Sequence, residues 1–236
     1  MLFQIDTRIF GIFILQPIVL LIFIYIAIKI LKRNRNLLTI TLSAFYILSA
    51  AGFVVNIIFF MGTLLPVDLS LFMSILYFIS SFLVIYSPIF LLIFLFLIKQ
   101  QNFSSKSYFL LASFYGLGCL LILLIPEGID IGIQSDWIPR YSWEFLRIFY
   151  IFFSLIIVIP TIYLLTKLLV SFQDKGLRKK FFIFMIGILC MLMSFYGLVL
   201  FNTWHDQTFR AIWNIFSSSI VIPAGFLIYN GIGQNL

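Results

Sequence analysis

Charge is scarce in this chain. Only 15 Lys and Arg and 8 Asp and Glu occur among 236 residues, 10% in all, where soluble globular domains carry roughly a quarter. With 63% hydrophobic residues and 30 Phe, the chain cannot cover itself with a water-compatible surface. Surface-to-volume scaling also prevents a core of this size from burying so many large side chains. Most of them must face lipid.

Other scarcities narrow the chemistry. His205 is the one histidine, so a multi-histidine metal site is excluded. Cys119 and Cys190 are the two cysteines, and both fall inside apolar runs, which excludes a disulfide framework and a Cys-based metal centre and makes them small buried hydrophobes. No Asp, Glu or paired His lies inside an apolar run to act as general acid or base, and neither a G-x-S-x-G nor an HExxH pattern occurs. The expectation is therefore a non-enzyme without cofactor or metal. The last apolar run lacks a lysine, which excludes a retinal Schiff base.

What remains is apolar length. A bilayer core of about 30 Å takes about 20 helical residues, and uncharged runs of that size give an all-α, polytopic, single seven-helix transmembrane domain with spans about 9–31, 37–62, 69–98, 107–126, 146–170, 181–203 and 210–231. Turn residues are expected around Gly62, Thr63 and Pro66. The segment Met1 to Arg8 has no cleavage signal and is expected to stay attached to the first span.

The net charge of +7 is topogenic and does not mark a nucleic-acid surface, because the basic residues cluster at the ends of apolar runs. Lys29, Lys32, Arg33, Arg35, Lys99, Lys106, Lys167, Lys175, Arg178, Lys179 and Lys180 gather on one side; Arg8, Arg140, Arg147 and Arg210 fall on the other. The positive-inside rule makes the first side cytoplasmic. The expected protein is a multi-pass cell-membrane protein with its N-terminus outside and its C-terminus in the cytoplasm. Asp174 is the one acid on the inner side, and Trp137, Trp143, Trp204 and Trp213 all lie near the outer boundary.

Polar residues inside the spans recur at helical spacing. Ser70, Ser74, Tyr77 and Ser81 form a stripe on the third span that continues to Pro88, and Arg210, Asn214, Ser217 and Ser218 form one on the seventh. Shorter stripes are Ser49, Gly52 and Asn56; Tyr150, Ser154 and Thr161; and Asn202 with His205. Small and hydroxylated residues serve close helix packing in membranes. The sharper reading joins Asn56, Ser74, Tyr77, Ser81, Asn202, His205, Trp213, Asn214 and Ser217 into a ligand-binding cavity open to the outer side. Pro17, Pro88, Pro160 and Pro223 stand one each in the odd-numbered spans and free the carbonyls of Phe13, Val84, Ile156 and Ser219. Each freed carbonyl needs a partner or a wet cavity.

The segment Pro223-Ala224-Gly225-Phe226-Leu227-Ile228-Tyr229-Asn230-Gly231-Ile232-Gly233, after a serine-rich stretch, resembles the close of the seven-helix sensor regions at the N-terminus of microbial histidine kinases. That resemblance implies an integral membrane sensor or receptor-like module. The last span closes near Leu236, so signalling is expected to pass to a separate partner. The basic stretch Gln173 to Lys180 is the expected docking surface for anionic lipid or a cytoplasmic partner. The alternative is a small-solute transporter or channel of the three-plus-one-plus-three SWEET type, which seven spans and an outer N-terminus resemble. A transporter needs polar lining through both halves of the bundle, whereas the inner halves here are dominated by Ile, Leu and Phe, as from Ile89 to Ile98.

Overall fold

The computed structural model describes residues 11–64, 69–100 and 105–233. Asp6, Arg8, Pro66, Asp68 and the side chain of Ser218 lie outside them. Among the described residues seven helices are long and apolar enough to cross a membrane: α1 (Gly11–Arg33), α2 (Leu37–Thr63), α3 (Ser70–Lys99), α4 (Lys106–Leu123), α5 (Trp143–Ser171), α6 (Lys175–Thr203) and α7 (Gln207–Ile232). Short connections alternate their direction. One face of the bundle carries the 124–142 connection and all four tryptophans; the other carries the lysine clusters. They are called the loop face and the basic face below.

Several helices outrun the apolar runs that predict them, because charge marks the end of hydrocarbon and not the end of hydrogen bonding. Helix α5 begins at Trp143, where Ser142 accepts from Phe145 N (3.1 Å), and α7 begins at Gln207, where Asp206 accepts from Phe209 N (2.7 Å). Asp174 accepts from Leu177 N at 2.7 Å and starts α6 at Lys175 instead of Phe181. Gln173 to Lys180, expected as a loop, is thus a brief connection followed by exposed helical turns. Such caps satisfy donors that a helix start leaves open. The departure from an all-α chain is a ribbon in the long connection, β1 (Ile129–Asp130) antiparallel to β2 (Arg140–Tyr141), pairing Ile129 with Tyr141 and Asp130 with Arg140.

Helical winding changes next to Pro17, Pro88 and Pro160, whereas Pro223 stands inside regular α-helix. A π-helical turn spans Gly11–Leu15 just before Pro17, another spans Ser154–Val158 just before Pro160, and a third, Tyr229–Gly233, follows Pro223. At Pro88 the helix breaks in a turn at Ser87. There the Val84 carbonyl accepts from Ser87 Oγ (2.9 Å), Ser49 Oγ donates to Ser87 Oγ (2.8 Å), and Tyr115 Oη donates to the Ile85 carbonyl (2.9 Å). The Val84 and Ile85 carbonyls just before the break therefore have hydroxyl partners, as hydrocarbon requires.

Helix α3 occupies the middle of the bundle. On its basic-face half every residue from Pro88 to Leu95 is buried, the pattern of a helix surrounded on all sides by other helices. Nearer the loop face, Ser80 Oγ donates to the Gly52 carbonyl (2.9 Å), which brings α2 and α3 close. Helices α6 and α7 approach more closely still: a Cβ at Gly187 would lie 2.8 Å from Ile228 N and 2.9 Å from the Ala224 carbonyl oxygen.

Because backbone blocks that site, Gly187→Leu is expected to lower stability by about 1–3 kcal/mol through overpacking. Gly132, with open space around its Cβ position, should accept Ala within about 0.5 kcal/mol. Thermal unfolding of the two purified variants beside the parent checks the contrast.

Candidate functional site

Many of the polar residues of the spans gather in one place. They meet in a cavity of about 410 Å³ in the loop-face half, walled by α1, α2, α3, α6 and α7 and roofed by Ile138, Pro139 and Tyr141 of the long connection. Its wall takes nothing from α4 or α5, and nothing from α3 beyond Ile85. Phe23, Phe45, Phe53, Phe59, Phe195 and Val221 supply much of the apolar surface; serines and amides stand between them. A mostly apolar pocket with a few convergent polar groups is the usual form of a small-molecule site, typically about 300–1,000 Å³.

Seven of the nine expected site residues, Asn56, Tyr77, Ser81, Asn202, Trp213, Asn214 and Ser217, stand on this wall. Ser74 and His205 do not. Ser74 Oγ turns back to the Ser70 carbonyl (3.0 Å), a bond a helical serine makes readily with the preceding turn. His205 is exposed in the connection between α6 and α7, where its Nδ1 meets Arg210 Nη2 at 3.0 Å. The stripe of Tyr150 and Ser154 serves packing: Tyr150 Oη donates to the Tyr196 carbonyl (2.8 Å) and Ser154 hydrogen-bonds Tyr196 Oη.

Residues that the helical stripes leave out complete the wall. Tyr141 arrives from β2, is buried, and shares a hydrogen bond with Tyr77 Oη at 2.6 Å. Burial pushes the Tyr141 phenol up, opposed first by its hydrogen bond with Tyr77, so one hydroxyl ties the roof to α3. Gln16 Oε1 accepts from Asn56 Nδ2 (3.0 Å) and joins α1 to α2. A lone amide before Pro17 in an otherwise apolar run was the available signal for it.

The roof holds its shape through strained backbone. Asp136 and Trp137 have φ of 51° and 56°, a region non-glycine residues rarely occupy. Trp137 N donates to the Gly132 carbonyl (2.9 Å), Ile138 N donates to the Ser135 carbonyl (2.9 Å), and the Trp137 ring packs edge-on against Phe59. These contacts fix the turn that delivers Ile138, Pro139 and Tyr141 to the cavity.

Among the described residues Arg210 is the one charged side chain on the wall. Its Nε donates to the Phe201 carbonyl (3.2 Å) and its guanidinium lies 5.3 Å from the Phe201 ring centre. The His205 pKa is lowered from 6.5 by burial first, then by Arg210 and Arg140, which favours the neutral ring that accepts from Arg210. Trp213 lies flat over Gly197, where a Cβ would fall 1.6 Å from its Cζ2. Among the described residues no group of three or more His, Cys, Asp or Glu could hold a metal ion.

Two outcomes follow. Tyr77→Phe and Tyr141→Phe should be non-additive in a double-mutant cycle on unfolding, with a coupling of about 0.6–1.7 kcal/mol, the range of cross-helix hydrogen bonds in membranes. For His205 the folded-state pKa lies below the unfolded one, so on acidification the unfolded chain binds the proton first. Stability should be full above pH 6.5 and fall as pH drops below it, and His205→Asn should flatten that part of the profile; unfolding temperature against pH measures both.

No family model, no curated protein and no solved structure matches this chain.

Proposed function

We propose that the protein is a membrane sensor or receptor-like module that binds a small ligand in this cavity and passes a helix displacement to a separate partner. The carrying observation is the cavity's one-sidedness: polar and aromatic wall in the loop-face half, and a basic-face half closed by the fully buried run from Pro88 to Leu95. A site reached from one face suits a receptor. A transporter must open its site to both faces in turn, and that requires a polar path through the half that α3 fills.

The orientation in this proposal sets the loop face outside, the N-terminus with it, and the basic face in the cytoplasm, from the eleven-to-four distribution of Lys and Arg. The partner surface is the exposed start of α6, with Lys175, Arg178, Lys179 and Lys180 on successive turns beside the connection from Gln173. Anionic lipid or an acidic cytoplasmic partner fits that charge.

Single cysteines in a Cys119→Ala, Cys190→Ala background test access and orientation together. With an impermeant maleimide on intact cells, cysteines at Asp136 and at Ser217 in the cavity should label, and a cysteine at Lys179 should label only after lysis. Labelling at Lys179 in intact cells reverses the orientation. Saturable flux of any small neutral solute by the protein in liposomes replaces the receptor with the transporter.

A further inference from the structure

The cavity has a chemical asymmetry that selects among ligands. Among the described residues no carboxylate stands on its wall, and Arg210, one turn into α7 at the loop-face end, is the single cation there. The guanidinium has five N–H donors, of which Nε serves the Phe201 carbonyl and one Nη2 hydrogen serves His205. The other N–H groups make no hydrogen bond among the described residues, and Asn202, Gln207 and Asn214 line the same cavity. Arg140 adds a second positive charge nearby, since it and Arg210 both act on His205 as like charges. Asp206, the acid next in sequence, is exposed and caps α7 through Phe209 N. Half-buried at the loop-face end, the planar guanidinium matches carboxylate and phosphate oxygens.

The far end of the cavity has the opposite character. From Arg210 to Val221 on α7 is about 16 Å at 1.5 Å per residue, and the deep wall there is Phe23, Phe45, Phe195 and Met191. Phe23 and Phe45 are 2% and 0% exposed, so they form a dry end. A volume of about 410 Å³ lies toward the small end of ligand pockets; it accommodates one medium-length acyl chain and not the two of a phospholipid.

We propose that the cavity takes a single-chain amphiphile with an anionic head, a carboxylate or phosphate monoester, its head held by Arg210 and its tail lying along Phe53, Phe195 and Val221. This rests on the receptor reading of the same cavity and adds the class of ligand. A cationic head would be repelled by Arg210, and a neutral head would leave the guanidinium without a counter-charge.

The test is equilibrium binding of radiolabelled decanoate to the full chain in detergent, with competitors that differ in one part. Saturable binding is expected, with decyl phosphate competing comparably, decanol at least about tenfold weaker, and decyltrimethylammonium not competing; tenfold corresponds to about 1.4 kcal/mol. Inorganic phosphate at the same concentration should not compete, because it lacks the tail. Arg210→Gln should abolish the preference for anionic heads and Arg210→Lys should keep part of it. The head-group series on the parent protein decides the matter even if Arg210→Gln does not fold. Decanol and decyltrimethylammonium binding as well as decanoate, with loss on Ser81→Phe, would overturn the anionic head and leave the cavity receptor standing. Inorganic phosphate competing as well as decyl phosphate would overturn the tail. Absence of saturable binding for every probe overturns the proposal and removes support from the receptor reading with it.

Discussion

The composition of α3 changes at Pro88, and the cavity follows from that change. Before the break the helix offers Tyr77, Ser80 and Ser81 to its neighbours; after it, Ile89 to Leu95 are large, apolar and buried on every side. A central helix of large side chains fills the space between its neighbours at close-packed density. A central helix of serines leaves room, and the six surrounding helices, tied by their own contacts, do not collapse into it. The break itself is tolerable only because Ser87 serves the Val84 carbonyl and Tyr115 serves the Ile85 carbonyl. An unserved carbonyl at that depth would carry a penalty of several kcal/mol.

The ring contacts on the other flank of α3 explain why the open space lies on one side of that helix. Phe82, Tyr86, Tyr115 and Phe152 form a run of nearly parallel rings across α3, α4 and α5, with interplanar angles of 10°, 18° and 9°. Gly116 and Gly118 make room for it, since a Cβ at Gly118 would lie 2.4 Å from Phe152. That flank is filled by aromatic area. Toward α1, α2, α6 and α7 the same helix presents hydroxyls, and the gap is closed from above by the connection that carries Tyr141.

Spans and polar faces were legible because lipid imposes two simple rules, apolar length and the exclusion of charge. The stripe through Tyr77 and Ser81 and the one through Asn214 and Ser217 could be read from spacing alone, since a helix fixes which residues share a face. Ser74 shows the limit: it shares the spacing of its stripe, yet its hydroxyl is satisfied within its own helix, and a pattern of types cannot distinguish an inward donor from a self-satisfied one. Tyr141 was illegible for a different reason. Its place depends on a left-handed turn at Asp136 and Trp137 and on the pairing of β1 with β2, contacts between residues whose encounter no helical period encodes. His205 falls outside the wall because α6 ends at Thr203, so the periodicity that links Asn202 to His205 stops before reaching it.

How a ligand in the cavity would be felt at the basic face depends on which helices are continuous. Helices α1, α3 and α5 each contain a proline beside a change of winding, so a push at one end can be absorbed at the π turn or the break. Helix α6 has no proline and runs as one α-helix from Lys175 to Thr203. It contributes Ser194, Phe195, Leu198 and Asn202 to the cavity wall and ends in the exposed lysines of its first turns. Against α7 it is held by backbone-close contacts at Gly187, and Gly231 of α7 approaches Phe184 in the same way, its Cβ position 2.6 Å from Phe184 N. Packed backbones of this kind move together instead of deforming. Under the receptor proposal, α6 is therefore the element that carries a displacement at Phe195 and Asn202 to Lys175 and Lys180 with α7 alongside it, and the flexible points in the other helices let the rest of the bundle stay where the lipid holds it.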